Sequence, residues 1–171
     1  MTPIVAGLDP AHSEPLAALE SKTGPNNFFR AMAHKPDVLA AFPKFYGSVM
    51  GPGSVERRMK EMVYLAVSFA NQCAYCTAAH LKGAKKAGLS EQDVEDLRTE
   101  SDRNFTPLEQ AALQYARNMT RACAGSSAAD LAGHFTEQQI VELTLVVAMA
   151  NFTNRFNNGL AVQVETAAAA G

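Results

Sequence analysis

The sequence predicts an all-α protein, and three observations carry that prediction. Apolar residues recur at helical spacing, as in Val38, Leu39, Phe42, Phe45, Tyr46 and Val49. Two capping signatures, Thr106-Pro107-Leu108-Glu109 and Thr136-Glu137-Gln138-Gln139, mark helix starts. No run alternates apolar and polar residues between turn signals, so no strand is predicted.

The elements follow in order. Residues 1–25 are rich in Pro, Gly and small side chains and read as a loose N-terminal arm. Residues 26–166 form a single helical domain, and residues 167–171 a flexible tail. A short helix over Asn27 to His34 stops before Pro36, because the residue preceding a proline is pushed out of helical geometry. Pro36 to Met50 forms the next helix, kinked or divided at Pro43. After the Gly51-Pro52-Gly53 break, Ser54 is placed to cap a helix running to about Ala70, with Met59, Met62, Val63, Ala66, Val67 and Phe69 on its apolar face. A helix from about Cys73 to Ala87 ends at Gly88. Ser90-Glu91-Gln92-Asp93 starts a short helix, Thr106 opens one reaching about Cys123, and Thr136 opens one running through Ala150, apolar nearly all round and so expected to be buried. Glu61 to Asn71 and Glu142 to Asn151 echo one another weakly as apolar helices opened by Glu and closed by Asn.

Composition narrows the function. The 171 residues suit one domain, and 47% hydrophobic content supports a packed core. Charged residues make up only 19%, below the usual quarter or so, which suggests surface buried between subunits. A net charge of -2 provides no basic field for nucleic acid and no polybasic membrane patch. The N-terminus lacks a signal-peptide pattern, and the longest apolar run, Leu143 to Ala150, is far below the ~20 residues of a membrane span. A cytoplasmic location is expected. Thiols are kept reduced there, so the cysteines are not a disulfide framework.

The chemistry sits in Cys73-Ala-Tyr-Cys76-Thr-Ala-Ala-His80, with Glu61 twelve residues before Cys73. The spacing E-x11-C-x2-C-x3-H is specific. On a helix, positions three and four apart share a face, so both thiols and the imidazole are expected on one side. A thiol of ordinary pKa, about 8.5, is a poor nucleophile at neutral pH. Three features here work to lower it: the helix N-terminus, His80 as proton acceptor one turn beyond Cys76, and Glu61 orienting the far ring nitrogen. Glu61 reaches His80 only if the chain breaks near Asn71-Gln72 and folds two helices against each other. Cys76, nearer His80 along the helix, is the expected attacking thiol, and Cys73, expected nearer solvent, the contact for a reductant. Exchanged roles are the main alternative.

Plainer readings stand beside this one. Zinc wants four ligands, and Cys73, Cys76 and His80 supply three with Glu61 a fourth, but no second CxxC or paired-histidine motif accompanies them. A thioredoxin setting needs βαβ, and haem attachment needs His where Thr77 stands. Glu61 alone reads as a solvated charge beside Arg57, Arg58 and Lys60. Cys123 reads as a small buried hydrophobe; Met50, Met59, Met62 and Met149 read as core. Tyr75 is core or narrows the site. Arg155 anchors either a subunit contact or a substrate anion. His12 and His134 read as surface residues.

The chain resembles the AhpD-like (alkyl hydroperoxidase D) members of the carboxymuconolactone decarboxylase family, in their peroxidase-related branch. The core of the resemblance is Arg57-Arg58-Met59-Lys60-Glu61 followed by the CxxC-x3-His stretch. Softer matches are Pro25-Asn26-Asn27-Phe28-Phe29-Arg30-Ala31-Met32-Ala33-His34, Phe105-Thr106-Pro107-Leu108-Glu109 and Asn154-Arg155-Phe156-Asn157. The resemblance implies an all-α homo-trimer or homo-hexamer with no metal or organic cofactor, and a proton relay of Glu61, His80, Cys73 and Cys76. It implies thiol-dependent reduction of a hydroperoxide through a Cys73–Cys76 disulfide, restored by a dithiol protein such as a lipoyl carrier or a thioredoxin. Rival readings are a cofactorless decarboxylase, for which the scaffold also serves, a redox adaptor that only exchanges disulfides, and a structural zinc module.

Overall fold

The computed structural model describes residues 2–122 and 128–165, and among these the regular elements are all helical. The α-helices are α1 (Glu14–Thr23), α2 (Asn27–Met32), α3 (Pro36–Met50), α4 (Arg57–Ala70), α5 (Ala74–Lys86), α6 (Glu91–Thr99), α7 (Pro107–Arg121) and α8 (Glu137–Leu160). Cys123 and the tail 167–171 lie outside the described residues.

α4 is the centre of the molecule. Every residue from Met59 to Ser68 is buried, and the helix packs against α5, α7 and α8. One face of α4, with Val63, Tyr64 and Val67, joins a core that includes Phe28, Phe42, Leu143 and Val147. The other, with Met62, Leu65 and Ala66, closes a smaller core with Leu97, Phe105 and Leu113. A helix buried all round must satisfy its few polar groups internally. Lys60 does so through its ammonium, which donates to the carbonyls of Val49 (2.9 Å) and Gly51 (2.6 Å) and pairs with Glu142.

The capping signatures at Ser90, Thr106 and Thr136 form as reciprocal boxes. Gly88 follows α5 at φ 89°, a left-handed position that glycine occupies without strain. Four expectations need correction. The N-terminal arm contains α1, whose Leu16 is fully buried, while Glu20 pairs with Arg30 at 2.8 Å. Composition hid that packing. Pro43 does not divide α3, which is continuous. Ser54 does not cap α4; its backbone N–H and hydroxyl both donate to Glu142, and Glu56 takes the cap position. α8 does not end near Ala150 but runs on through Asn151 to Leu160, 24 residues in all, and its apolar surface is not wholly buried: Leu145 is 42% exposed and Phe152 48%.

Those last residues belong to an apolar hollow between α3 and α8, lined by Val38, Ala41, Phe45, Leu145, Met149 and Phe152. No helix among the described residues is long and apolar enough to cross a membrane.

Candidate active site

The site is built at the corner between α4 and α5. Gln72 takes a left-handed φ of 51°, which stops α4 and turns the chain sharply. The predicted break is real, with the left-handed residue at Gln72 rather than Asn71. Asn71 holds the corner instead: its side-chain N–H donates to the amide oxygens of Asn151 (3.0 Å) and Asn154 (3.1 Å), and its carbonyl accepts from Asn158 at 2.9 Å. Asparagines recurring every three to four residues along α8 thus fasten the corner to that helix.

The turn brings Glu61 of α4 against His80 of α5. Nδ1 of His80 meets Glu61 Oε2 at 2.7 Å. Glu61 is fully buried and also pairs with Arg57 at 2.5 Å. Burial pushes its carboxyl up, but the hydrogen bond and charge of His80 and the Arg57 guanidinium outweigh it and hold the group below its ordinary value. A carboxylate only accepts, so Nδ1 of His80 carries the hydrogen, and in the neutral ring Nε2 presents a lone pair. Tyr46 of α3 fills that position, its hydroxyl 3.1 Å from Nε2. Tyr64 stacks on the imidazole with ring centroids 3.6 Å apart and 15° between planes. The ring is therefore fixed on both edges and one face. Gly83 permits the approach of α5 to α4: a Cβ there would lie 2.7 Å from Glu61 Oε1.

The two cysteines are reduced and differ in setting. Cys73 is the N-cap of α5, and its sulfur accepts from the Cys76 N–H at 3.4 Å. Cys76 lies inside the first turn, where Asn157 of α8 donates to its sulfur at 3.2 Å. The Cys76 thiol is lowered to about 7: the hydrogen bond from Cys73 lowers it most, burial opposes, and Asn157, Asn154 and Thr153 add further donors. Cys73 is pushed strongly up, first by giving its hydrogen bond to Cys76 and then by burial. The pair therefore ionises at Cys76, with Cys73 keeping its proton.

Cys76 and His80 line a cavity of about 260 Å³ together with Glu61, Tyr46, Tyr64 and Thr153. Cys73 does not share it. It borders a separate, more open hollow with Ser68, Phe69, Gln72, Thr77 and Leu81. The two thiols stay in contact, as the spacing predicted, while Cys76 alone of the pair lines the cavity with His80. Nor is Cys73 nearer solvent, being 1% exposed against 3% for Cys76.

The imidazole makes no direct hydrogen bond to Cys76; its Nε2 partner is Tyr46. Burial, then the negative charge of Glu61, hold the Tyr46 hydroxyl well above its ordinary pKa, so it remains a donor. Tyr46, Tyr64, Thr153 and Asn157 were missed as site residues, although Asn157 falls in a stretch that carried the resemblance. Tyr75 is both core and cavity wall, donating to Glu165 at 2.7 Å. Arg155 is exposed and bonds back to Asn151 on its own helix. Among the described residues, no three His, Cys, Asp or Glu side chains are grouped to hold a metal.

The chain is similar to known proteins in sequence and in fold. The carboxymuconolactone decarboxylase family matches residues 36–118. The chain is 30% identical over 109 residues to the uncharacterized protein YdfG of Bacillus subtilis (strain 168), covering 61% of this chain and 74% of that one. It superposes with TM-score 0.82 and 23% identity on an alkylhydroperoxidase AhpD core, an uncharacterized peroxidase-related protein from Ralstonia eutropha JMP134, over 96% of this chain and 94% of that one. The debrominase Bmp8, solved in complex with 2,3,4-tribromopyrrole, shares the fold at TM-score 0.78 and 22% identity, over 99% and 95% of the two chains. With the family match spanning α3 into α7 and a 30%-identical relative covered over 74% of its length, this protein, whose fold is AhpD-like, belongs to the carboxymuconolactone decarboxylase family.

Proposed function

We propose that this chain is a thiol-dependent hydroperoxide reductase acting in antioxidant defence. One observation carries the reading: the Cys76 thiol, held below its ordinary pKa, opens on a cavity, with the Cys73 thiol beside it and a Glu–His–Tyr chain in the same cavity.

The Cys76 proton passes through the cavity hydroxyls, Tyr46 last, to Nε2 of His80, and Glu61 balances the imidazolium. The Cys76 thiolate attacks the peroxide: an S–O bond forms and the O–O bond breaks. The departing alkoxide takes the proton back from His80 by way of Tyr46 and leaves as the alcohol. Cys76 is now a sulfenic acid. Cys73 attacks its sulfur, the S–S bond forms, and hydroxide leaves with the Cys73 proton as water.

A dithiol protein, a lipoyl carrier or a thioredoxin-like partner, then reduces the disulfide. Attack falls on Cys73, because the sulfur of lower pKa is the better leaving group and Cys76 departs as thiolate. The hollow beside Cys73 is the entry for that partner, so oxidant and reductant use different openings. The partner's second thiol closes its own disulfide and frees Cys73. The cycle uses no metal or organic cofactor and runs in the cytoplasm. The apolar hollow between α3 and α8 packs against a further copy in a homo-trimer or homo-hexamer.

A second reading is reductive dehalogenation, in line with the debrominase that shares the fold. The same dithiol would replace carbon–halogen by carbon–hydrogen, becoming a disulfide and releasing hydrogen halide.

The test is consumption of a hydroperoxide with dihydrolipoamide in excess. Turnover is expected for the wild type, none for Cys76→Ser, and one turnover at most for Cys73→Ser. Peroxide consumption that survives Cys76→Ser would defeat the assignment, and halide release without peroxide consumption would favour the second reading.

A further inference from the structure

Resting on the hydroperoxide-reductase reading, we infer that the cavity before Cys76 takes a small, neutral, single-ring aryl hydroperoxide, with the ring held among phenylalanine and tyrosine side chains and the O–O bond at the sulfur.

The walls carry the argument. Six aromatic side chains line the cavity: Phe28, Phe29, Phe42, Tyr46, Tyr64 and Tyr75. Four of them brace one another. Phe28 meets Phe42 edge-on at 5.1 Å and Phe29 at 5.4 Å, and Phe42 meets Tyr46 at 5.6 Å. A wall of mutually packed rings is stiff, and it offers the edges and faces that a further ring prefers to meet. A flexible alkyl chain gains nothing from that geometry and loses rotamer freedom on entry.

Size sets an upper limit. An apolar cavity of about 150 Å³ already holds benzene. The 260 Å³ here leaves room for one ring and a short branched substituent bearing the peroxide. Hydrogen peroxide would leave most of the wall without contacts.

Charge excludes an anionic substrate such as a fatty-acid hydroperoxide. Arg57, the cation among the lining residues, is paired with Glu61 at 2.5 Å. A substrate carboxylate would face that ionised glutamate without a cation of its own. Most of the remaining polar atoms are committed to one another or to the sulfur, as Glu61 to His80, His80 to Tyr46 and the Asn157 side-chain N–H to Cys76, and the buried Asn157 oxygen is the acceptor left over beside the sulfur. They serve the reacting end of the substrate rather than a polar tail.

The experiment separates binding from chemistry. Cys76→Ala protein, which has no attacking thiol, is titrated with unreactive alcohols and observed by saturation-transfer NMR: 2-phenyl-2-propanol, tert-butanol and 1-octanol. Wild type is assayed in parallel, with dihydrolipoamide, on cumene hydroperoxide, tert-butyl hydroperoxide and hydrogen peroxide. The aryl alcohol is expected to bind, with kcat/KM favouring cumene hydroperoxide by about tenfold over its tert-butyl analogue, the gain of one to two ring contacts. Phe42→Leu is expected to bring that ratio toward one. Binding of 1-octanol as tight as that of the aryl alcohol, no detectable binding of the aryl alcohol, or equal kcat/KM for aryl and alkyl peroxides, would overturn the inference while leaving the reductase reading intact. Selective binding of the aryl alcohol with no turnover of any hydroperoxide would uphold the aromatic site and defeat the reductase reading.

Discussion

Replacing Cys73 by alanine removes the S–H that donates to the Cys76 sulfur and so tests what makes that sulfur reactive. In the wild type the donor is the largest influence holding Cys76 at about 7. A hydrogen bond to a charged acceptor is worth roughly 1.5–3 kcal/mol. At about 1.4 kcal/mol per pKa unit, its loss returns the thiol to about 8–9. The ionised fraction at pH 7 then falls from about one half to a few per cent, and alkylation by iodoacetamide slows by roughly tenfold or more. The assay is the pH dependence of carbamidomethylation at the Cys76 peptide, followed by mass spectrometry so that Cys123 does not interfere. Cys73→Ser keeps an O–H donor and is expected to fall between the two. An inflection that stays near 7 in Cys73→Ala would refute the reasoning and move the cause to Asn157 and the helix terminus.

Other outcomes follow from the same geometry. Peroxide turnover in the wild type should rise as pH increases through about 7 and level off above it, because the reactive form is the deprotonated one; a rate that falls over this interval would contradict the thiolate. Tyr46→Phe removes the hydroxyl 3.1 Å from His80 Nε2 and should lower kcat by roughly 10²-fold with the Cys76 alkylation profile little changed, read by steady-state kinetics and labelling on the same sample. Gly83→Ala places a Cβ 2.7 Å from Glu61 Oε1 and should disturb the Glu61–His80 pair, lowering kcat more than melting temperature; unchanged kinetics would mean the pair is dispensable. Leu145→Asp puts a charge in the apolar hollow between α3 and α8 and should reduce the assembly size in light scattering, and an unchanged mass would clear that face of a subunit role.

Much of the fold was legible because its signals are local. Ser90, Thr106 and Thr136 each sit three residues before an acid or amide that answers their cap, and all three helices begin there. The failures are long-range. Ser54 has the right chemistry for a cap, but Glu142, far along the chain on α8, claims it. Asn151 ends nothing, because its side chain can turn outward to Asn71 and Thr120 without leaving the helix. The site divides in the same way. The E-x11-C-x2-C-x3-H spacing named Glu61, Cys73, Cys76 and His80, and the structure joins Glu61 to His80 and Cys73 to Cys76. Tyr46, Tyr64 and Thr153 could not be singled out, since each occupies a position that also serves a core-facing helix stripe. Only the tertiary packing of α3, α4 and α8 turns their hydroxyls into one cavity. That Cys76 lines the cavity and Cys73 does not was equally hidden, because helical periodicity does not extend to a residue at the cap.

The most direct measurement is dimedone trapping after one equivalent of cumene hydroperoxide is added to reduced Cys73→Ser and Cys76→Ser proteins, with the labelled peptide identified by mass spectrometry. A sulfenic acid adduct is expected on Cys76 in the Cys73→Ser protein, formed within the time of peroxide loss, and no adduct on Cys73 in the Cys76→Ser protein. An adduct on Cys73, or peroxide loss with neither cysteine labelled, would contradict Cys76 as the attacking thiol.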